Sequence, residues 1–109
     1  MKLIYAIIHD DDSPRLMSEL SKSGFRVTKL HSSGGFLRSG NTTLMTGVED
    51  AEVEDALKII KKFSSSRKTL INANAGMSQM GAAFIPYPVE VTVGGATIFI
   101  VNVERFEKF

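Results

Sequence analysis

The chain contains no cysteine, and this absence removes several classes of chemistry. Disulfide bonds, thiolate metal sites and a cysteine nucleophile are all excluded. A cysteine-free chain suits a reducing compartment, so we expect a cytoplasmic protein. The only two histidines, His9 and His31, do not belong to a cluster with the spacing of metal ligands, so we expect no metal site.

Strong net charge and long apolar runs are also missing. The formal net charge is +1 at pH 7, which gives no general attraction to nucleic acid polymers or to acidic membranes. The apolar run Leu3–Ile8 is too short for a signal peptide core and far too short to span a bilayer. The length of 109 residues fits a single domain, residues 1–109.

Catalytic motifs are missing as well. No Ser-His-Asp arrangement, no phosphate-binding loop that ends in Lys-Ser/Thr and no catalytic carboxylate pair can be defended, so we expect no catalytic residues and no enzyme. The run Asp10-Asp11-Asp12 could bind a cation, but charge at a helix N-terminus is the favoured role.

The first half of the chain alternates strand and helix patterns. The run Leu3–Ile8 predicts a strand that is buried on both faces, and Phe25–Leu30 and Asn41–Gly47 predict the next two strands. Ser13 is expected to cap a helix that ends at Gly24. A second helix opens at Val48-Glu49-Asp50 and carries an apolar stripe formed by Val53, Ala56, Leu57, Ile60 and Phe63.

The second half contains a long segment without a usable period, from Arg67 to about Pro88. A loop of this length inside a small domain is often functional. Beyond it, Val89–Val93 alternates, Gly94-Gly95 predicts a turn and Ala96–Val103 predicts a returning strand, which together indicate a hairpin. The element order predicts an α+β fold, a ferredoxin-like β-α-β-β-α-β sandwich with a long loop before the last strand.

Two helices can cover only one face of such a sheet. Yet Leu3–Ile8 and Ile98–Val103 are apolar at consecutive positions, which indicates burial of both faces. The simplest cover for the second face is another copy of the same chain. We therefore expect a homo-oligomer.

The segment between the second and third strands offers groups that suit a nucleotide. Arg26 and Thr28 share one strand face, Gly34-Gly35 exposes backbone N–H groups, and Asn41 supplies a carboxamide. An arginine pairs with phosphate oxygens, and an asparagine matches an adenine edge. On these residues alone a surface hairpin is the favoured alternative. Phe36 could stack on a base or pack on a neighbouring subunit, and both interpretations stay open.

Three motifs resemble the PII-like cyclic-di-AMP receptor family of Gram-positive bacteria, and the resemblance runs over nearly the whole chain. The motifs are Phe25-Arg26-x-Thr28-Lys29-Leu30, Gly34-Gly35-Phe36-Leu37-x-x-Gly40-Asn41-Thr42-Thr43 and Pro86-Tyr87-Pro88-Val89-Glu90-Val91-x-Val93-Gly94-Gly95-Ala96-Thr97-x-Phe99.

The resemblance implies a homotrimeric, non-enzymatic signal receptor that needs no cofactor. It implies one cyclic di-AMP at each subunit interface, between the loop Ser32–Gly40 and the larger loop Arg67–Pro88, and loop remodelling for an unknown downstream protein. The ligand-binding residues that it implies are Arg26, Thr28, Gly35, Phe36, Leu37, Asn41, Gly47 and Phe99. We expect Gly34 to join them, because its backbone N–H is exposed beside that of Gly35. The chain departs from the family pattern at Gly24, where many relatives carry a ligand-contacting asparagine, at Lys108, where a glutamine is usual, and in residues 72–83, which lack the common proline-rich pattern.

Two other functions stay open at this point. One is a PII-type sensor of ATP, or a metal-binding trimer of related fold. The other is a small enzyme such as an acylphosphatase, which uses an arginine-bearing glycine loop after the first strand. This chain has Asp10-Asp11-Asp12 there, and carboxylates would repel an acyl phosphate.

Overall fold

The described part of the chain contains six strands and two helices, which confirm the predicted α+β class. The computed structural model describes residues 1–31, 40–72 and 88–109. The elements are β1 (Lys2–His9), α1 (Ser13–Lys22), β2 (Thr28–Leu30), β3 (Asn41–Val48), α2 (Val53–Ser64), β4 (Arg67–Asn72), β5 (Pro88–Val93) and β6 (Ala96–Asn102).

Four of the strands form an antiparallel sheet in the order β2-β3-β1-β6. Strand β1 lies in the middle, where Tyr5 is paired with Met45 on one side and with Phe99 on the other. The chain reaches this order through two β-α-β crossovers, and the sheet order is that of a ferredoxin-like sandwich. The predicted fold is therefore confirmed.

One face of this sheet packs on both helices. Alternate residues of β1, namely Ile4, Ala6 and Ile8, are buried there. They share a core cluster with Leu16 and Leu20 of α1, Ala56 and Ile60 of α2, Phe25, Leu44 and Val48. The apolar stripe predicted for α2 is confirmed: Ala56 and Ile60 are buried, while Val53, Leu57 and Phe63 pack against the cluster.

Helix α1 ends in the cap that its sequence predicts. Gly24 has φ +90°, a left-handed conformation that favours glycine. The N–H of Gly24 donates to the carbonyl of Ser21, and the N–H of Phe25 donates to the carbonyl of Leu20, which is the hydrogen-bond pattern of a Schellman motif. The start differs from the prediction: Ser13 is the first helical residue, because Asp10–Asp12 already form a 3-10 turn that runs into the helix.

Strand β2 is shorter than predicted and begins at Thr28. Two residues earlier, the carbonyl of Arg26 accepts a hydrogen bond of 2.6 Å from the Thr46 hydroxyl of β3. A side chain therefore satisfies the backbone where a ladder bond would otherwise do so. The burial still alternates as expected, with Phe25 buried and Arg26 and Thr28 exposed.

The predicted hairpin across Gly94-Gly95 is wrong. Strand β5 pairs with β4 in a separate two-stranded sheet, and β6 pairs with β1. Gly94 and Gly95 have φ +75° and +107°, and the N–H of Gly95 donates to the carbonyl of Ser64 at the end of α2 at 2.7 Å. The two glycines therefore lead the chain from one sheet into the other. The ends of the predicted long loop are strands, and its middle, residues 73–87, lies outside the described residues.

Candidate functional site

The face of the sheet opposite the helices carries an apolar stripe that neither α1 nor α2 covers. We call it the open face. It holds the other alternate set of β1, Leu3, Tyr5 and Ile7, which are half-buried. Register places Met45 and Phe99 on either side of Tyr5, and Val101 beside Leu3. Phe99 and Val101 are each 44% exposed, and Ile100 on the other side of the same strand is 42% exposed, so strand β6 leaves apolar residues accessible on both of its sides.

Four of the predicted ligand-binding residues share this open face. Thr28 lies opposite Met45, and Asn41 and Gly47 occupy positions on β3 that alternate in phase with Met45. Phe99 lies opposite Tyr5. The β-sheet register therefore collects residues from three strands on one surface, although they are far apart in sequence.

A cleft of about 520 Å³ opens at one end of the open face. Three predicted residues line it: Arg26, Thr28 and Gly47. The Arg26 backbone is held there by the Thr46 hydroxyl, and the Schellman motif at Gly24 directs the chain into this position. Leu3 and Met45 form part of the apolar lining. The cleft thus combines one guanidinium, one hydroxyl and the two carboxylates of Glu49 and Glu52 with an apolar wall.

Some charged groups around the cleft form ion pairs with described residues and others do not. Within residues 1–31, 40–72 and 88–109, Arg26 forms no ion pair. Arg26 is an exposed residue. Glu49 and Glu52 also line the cleft. Near them, the Met1 ammonium lies 3.0 Å from the Asp50 carboxylate and lowers the pKa of Asp50 by hydrogen bonding and charge.

Gly47 is a glycine that the described fold does not require. Its φ is not positive, and no described atom lies within 4 Å of the position that a Cβ would occupy. A glycine inside a strand weakens the strand and often marks a close approach by a ligand or another backbone. Gly47 lines the cleft together with Arg26.

Asn41 does not lie beside the cleft. It begins β3 opposite His9, whereas Gly47 is six residues further along the same strand. At 3.3–3.4 Å per residue the two positions are about 20 Å apart. Phe99 lies between these two ends of the open face. The chain by itself therefore places the predicted residues Arg26, Thr28 and Gly47 at one end of the open face and Asn41 at the other.

The remaining predicted residues, Gly34, Gly35, Phe36 and Leu37, lie outside the described residues. A lining residue that the sequence analysis did not identify is Phe106, which is 66% exposed and reaches the cleft from the segment after β6. An aromatic residue beyond the end of the last strand is the only sequence signal for it, and that signal does not specify a contact.

The aspartate run after β1 has three separate surroundings. The Asp10 carboxylate accepts a hydrogen bond from the Thr42 hydroxyl at 2.5 Å, and Asp12 pairs with Arg67. Asp11 lies 3.8 Å from a ring nitrogen of His9. Across the residues described, no group of three or more acidic, histidine or cysteine side chains is arranged to hold a metal ion.

The fold and the open face describe an α+β protein of the ferredoxin-like, PII type. The chain matches the family model of the cyclic-di-AMP receptor over residues 1–109. It therefore belongs to the cyclic-di-AMP receptor family.

The chain is also similar to a solved structure from Pediococcus pentosaceus ATCC 25745, which is described as a functionally unknown protein. The two share 40% sequence identity and superpose with a TM-score of 0.81, over 99% of this chain and 96% of that one. In the part of the present chain that the structure describes, neither helix is long and apolar enough to cross a bilayer.

Proposed function

We propose that the protein is a homotrimeric, non-enzymatic receptor that binds cyclic di-AMP at its subunit interfaces in the cytoplasm. The observation that carries the proposal is family membership over the full length of the chain. We propose that residues 1–109 act as one PII-like domain.

The open face supports the homotrimer. Half-buried Tyr5 and Ile7 and the exposed Phe99 and Val101 form an apolar surface without a helix to cover it. Burying such side chains between subunits stabilises the assembly by about 25 cal/mol for each Å² of apolar area removed from water. The open face of a second copy of the chain is apolar in the same way and can pack against this surface.

The separation of the predicted residues supports a ligand held between subunits. Arg26 and Gly47 lie at one end of the open face and Asn41 lies about 20 Å away along β3. In a ring of subunits, the Asn41 end of one protomer can meet the Arg26 end of its neighbour. One compact cyclic dinucleotide can then contact both groups, which a single protomer does not bring together.

Each predicted residue has a chemical role in this arrangement. Arg26 donates charge-assisted hydrogen bonds to a phosphate, with the Thr28 hydroxyl beside it. The N–H groups of Gly34 and Gly35 approach the same anion, and Asn41 pairs with an adenine edge. The adenine rings pack against the apolar and aromatic surface of Phe36, Leu37, Phe99 and the backbone at Gly47.

Equilibrium binding tests the proposal directly. Calorimetric titration with cyclic di-AMP, ATP and cyclic di-GMP is expected to give saturable binding of cyclic di-AMP at one ligand per protomer, with much weaker binding of the other two. Tighter binding of ATP would support the PII-type sensor instead. Turnover of an acyl phosphate model substrate would identify an enzyme, and light scattering that reports a stable monomer at micromolar concentration would contradict the trimer.

We further propose that ligand binding orders the segment Ser32–Gly40 and remodels the larger segment Arg67–Pro88 for a downstream protein. Three glycines in the first segment make ordering entropically costly, and ligand contacts at Phe36 and Leu37 offset that cost. Hydrogen exchange is the measurement. Amides of Ser32–Gly40 are expected to gain protection when cyclic di-AMP is added, and equal protection with and without ligand would indicate a rigid hairpin.

A further inference from the structure

The two-stranded sheet of β4 and β5, which we call the arm, forms no strand pairing with the four-stranded sheet. Its largest apolar side chains are not packed either: Leu70 is 65% exposed and Ile71 is 49% exposed. Apolar burial by these residues therefore does not fix the direction in which the arm projects. If the arm has a defined orientation, contacts at its root must fix that orientation.

The root of the arm contains a bidentate ion pair. Arg67, the first residue of β4, directs Nη2 to Asp12 Oδ1 at 2.8 Å and Nη1 to Asp12 Oδ2 at 3.2 Å. Asp12 lies at the start of α1, and its side chain is only 7% exposed. Arg67 Nη1 also donates to the carbonyl of Ser65, just after α2. One guanidinium thus connects the arm to the beginning of one helix and the end of the other.

The other strand of the arm returns to the same point. Gly94 follows β5, and a Cβ built on it would lie 2.4 Å from Arg67 Nη1, 2.8 Å from the Ser65 carbonyl oxygen and 3.2 Å from Asp12 Oδ2. The next residue, Gly95, is hydrogen-bonded to Ser64. Glycine at 94 is therefore required both by φ +75° and by the space that the ion pair occupies.

We propose that the Asp12–Arg67 pair is a clasp that sets the orientation of the arm relative to the helices and the main sheet. Two parallel hydrogen bonds between planar groups fix an angle as well as a distance, which a single contact does not. Opening the clasp leaves a mostly buried carboxylate without its partner, which is unfavourable. Asp12 and Arg67 are positioning residues in this arrangement, because they act through the arm and lie outside the cleft.

The consequence for signalling rests on the proposed function. The arm carries both ends of the segment that we propose to be remodelled for a protein partner. A fixed root converts ordering of that segment into a defined position of the partner surface, whereas a loose root would let the arm rotate without transmitting a direction.

The clasp can be tested without any ligand, so the outcome is independent of the proposed receptor function. Because the chain has no cysteine, two engineered cysteines at exposed Thr69 on β4 and exposed Lys58 on α2 can carry spin labels alone. Labelled chain is mixed with an excess of unlabelled chain so that distances between subunits do not contribute. The measured quantity is the width of the Thr69–Lys58 distance distribution.

The unsubstituted clasp is expected to give one narrow distribution. Arg67→Ala and Asp12→Asn are each expected to broaden it by about twofold or more, and Arg67→Lys to give an intermediate width because lysine lacks the planar fork. The matched control is Lys68→Ala, which removes the exposed Lys68–Glu90 pair inside the arm and is expected to leave the width unchanged. An unchanged width in Arg67→Ala would overturn the proposal.

Gly94→Ala and Gly95→Ala provide a second, independent comparison. Both positions have positive φ, but the nearest described atom to a Cβ at Gly95 is 4.0 Å away, whereas a Cβ at Gly94 meets both the Arg67 guanidinium and the Ser65 carbonyl oxygen that it contacts. Broadening is expected in Gly94→Ala and not in Gly95→Ala. Equal broadening would assign the effect to backbone strain and would contradict the clasp. Protection of β1 amides from hydrogen exchange checks in every variant that the core is folded. If Arg67→Ala does not fold, Asp12→Asn and Arg67→Lys decide the question, because they change only the ion pair.

Discussion

The two faces of the four-stranded sheet have similar apolar character and different surroundings. On the helix side of β1, Ile4, Ala6 and Ile8 are at most 2% exposed, whereas Leu3, Tyr5 and Ile7 on the open face are only half-buried. The two sets alternate residue by residue along one strand. The difference arises because both crossover helices lie on the same side. The helix side therefore supplies the core that stabilises the fold, and the open face is the surface that we propose for assembly and for the ligand.

Introducing a charge on the open face is the strongest test of the difference between the two faces. Val101→Asp is expected to dissociate the trimer while the protomer stays folded, because a carboxylate buried between subunits without a partner costs about 3–5 kcal/mol. Light scattering measures the mass and circular dichroism measures the fold. Lys58→Asp, on the exposed side of α2, is the matched control and should leave the mass unchanged. A trimer that persists in Val101→Asp would show that the open face is not the interface.

Removal of a buried side chain on the helix side should affect folding instead. Ile4 is fully buried, so Ile4→Ala is expected to lower the free energy of unfolding by about 2–5 kcal/mol. Urea unfolding measures the effect in the Val101→Asp background, where association does not contribute. Ile7→Ala, the same change on the open face of the same strand, should cost clearly less there. Equal costs would contradict the division of roles between the two faces.

A substitution in the cleft can show whether ligand binding depends on this site independently of the oligomeric state. Arg26→Ala is expected to weaken cyclic di-AMP binding about ten- to a hundredfold, because a hydrogen bond to a charged group contributes roughly 1.5–3 kcal/mol. The mass of the assembly should not change. Lys29→Ala removes an exposed cation from the opposite face of β2 and should bind normally. Unchanged affinity in Arg26→Ala would exclude Arg26 from the site.

The smallest expected effects distinguish two glycines near the cleft. Gly24→Ala should lower the free energy of unfolding by about 1–2 kcal/mol, because its φ of +90° strains any residue with a Cβ. Gly47→Ala should leave the protomer as stable or slightly more so, and should weaken ligand binding. Thermal unfolding and calorimetry measure the two quantities. Loss of protomer stability in Gly47→Ala would mean that the strand itself requires this glycine.

Much of the fold could be predicted from local patterns. The apolar stripe of α2, the glycine cap of α1 and the alternation at Phe25 to Thr28 depend on contacts between near neighbours in sequence. The hairpin prediction at Gly94-Gly95 was wrong because strand pairing does not depend on near neighbours. Two glycines indicate a change of direction, but which strand pairs with which depends on residues far apart in sequence.

The types of the elements, the apolar positions and the residues that suit a nucleotide can be read from the sequence, because they depend on side-chain chemistry and on short-range periodicity. Strand pairing in the folded protein places Thr28, Asn41, Gly47 and Phe99 on one face and brings Asp12 to Arg67, and neither arrangement can be read from the sequence. The physical reason is that strand register and crossover geometry bring together residues separated by tens of positions. No local preference of the chain specifies which of these distant residues come into contact.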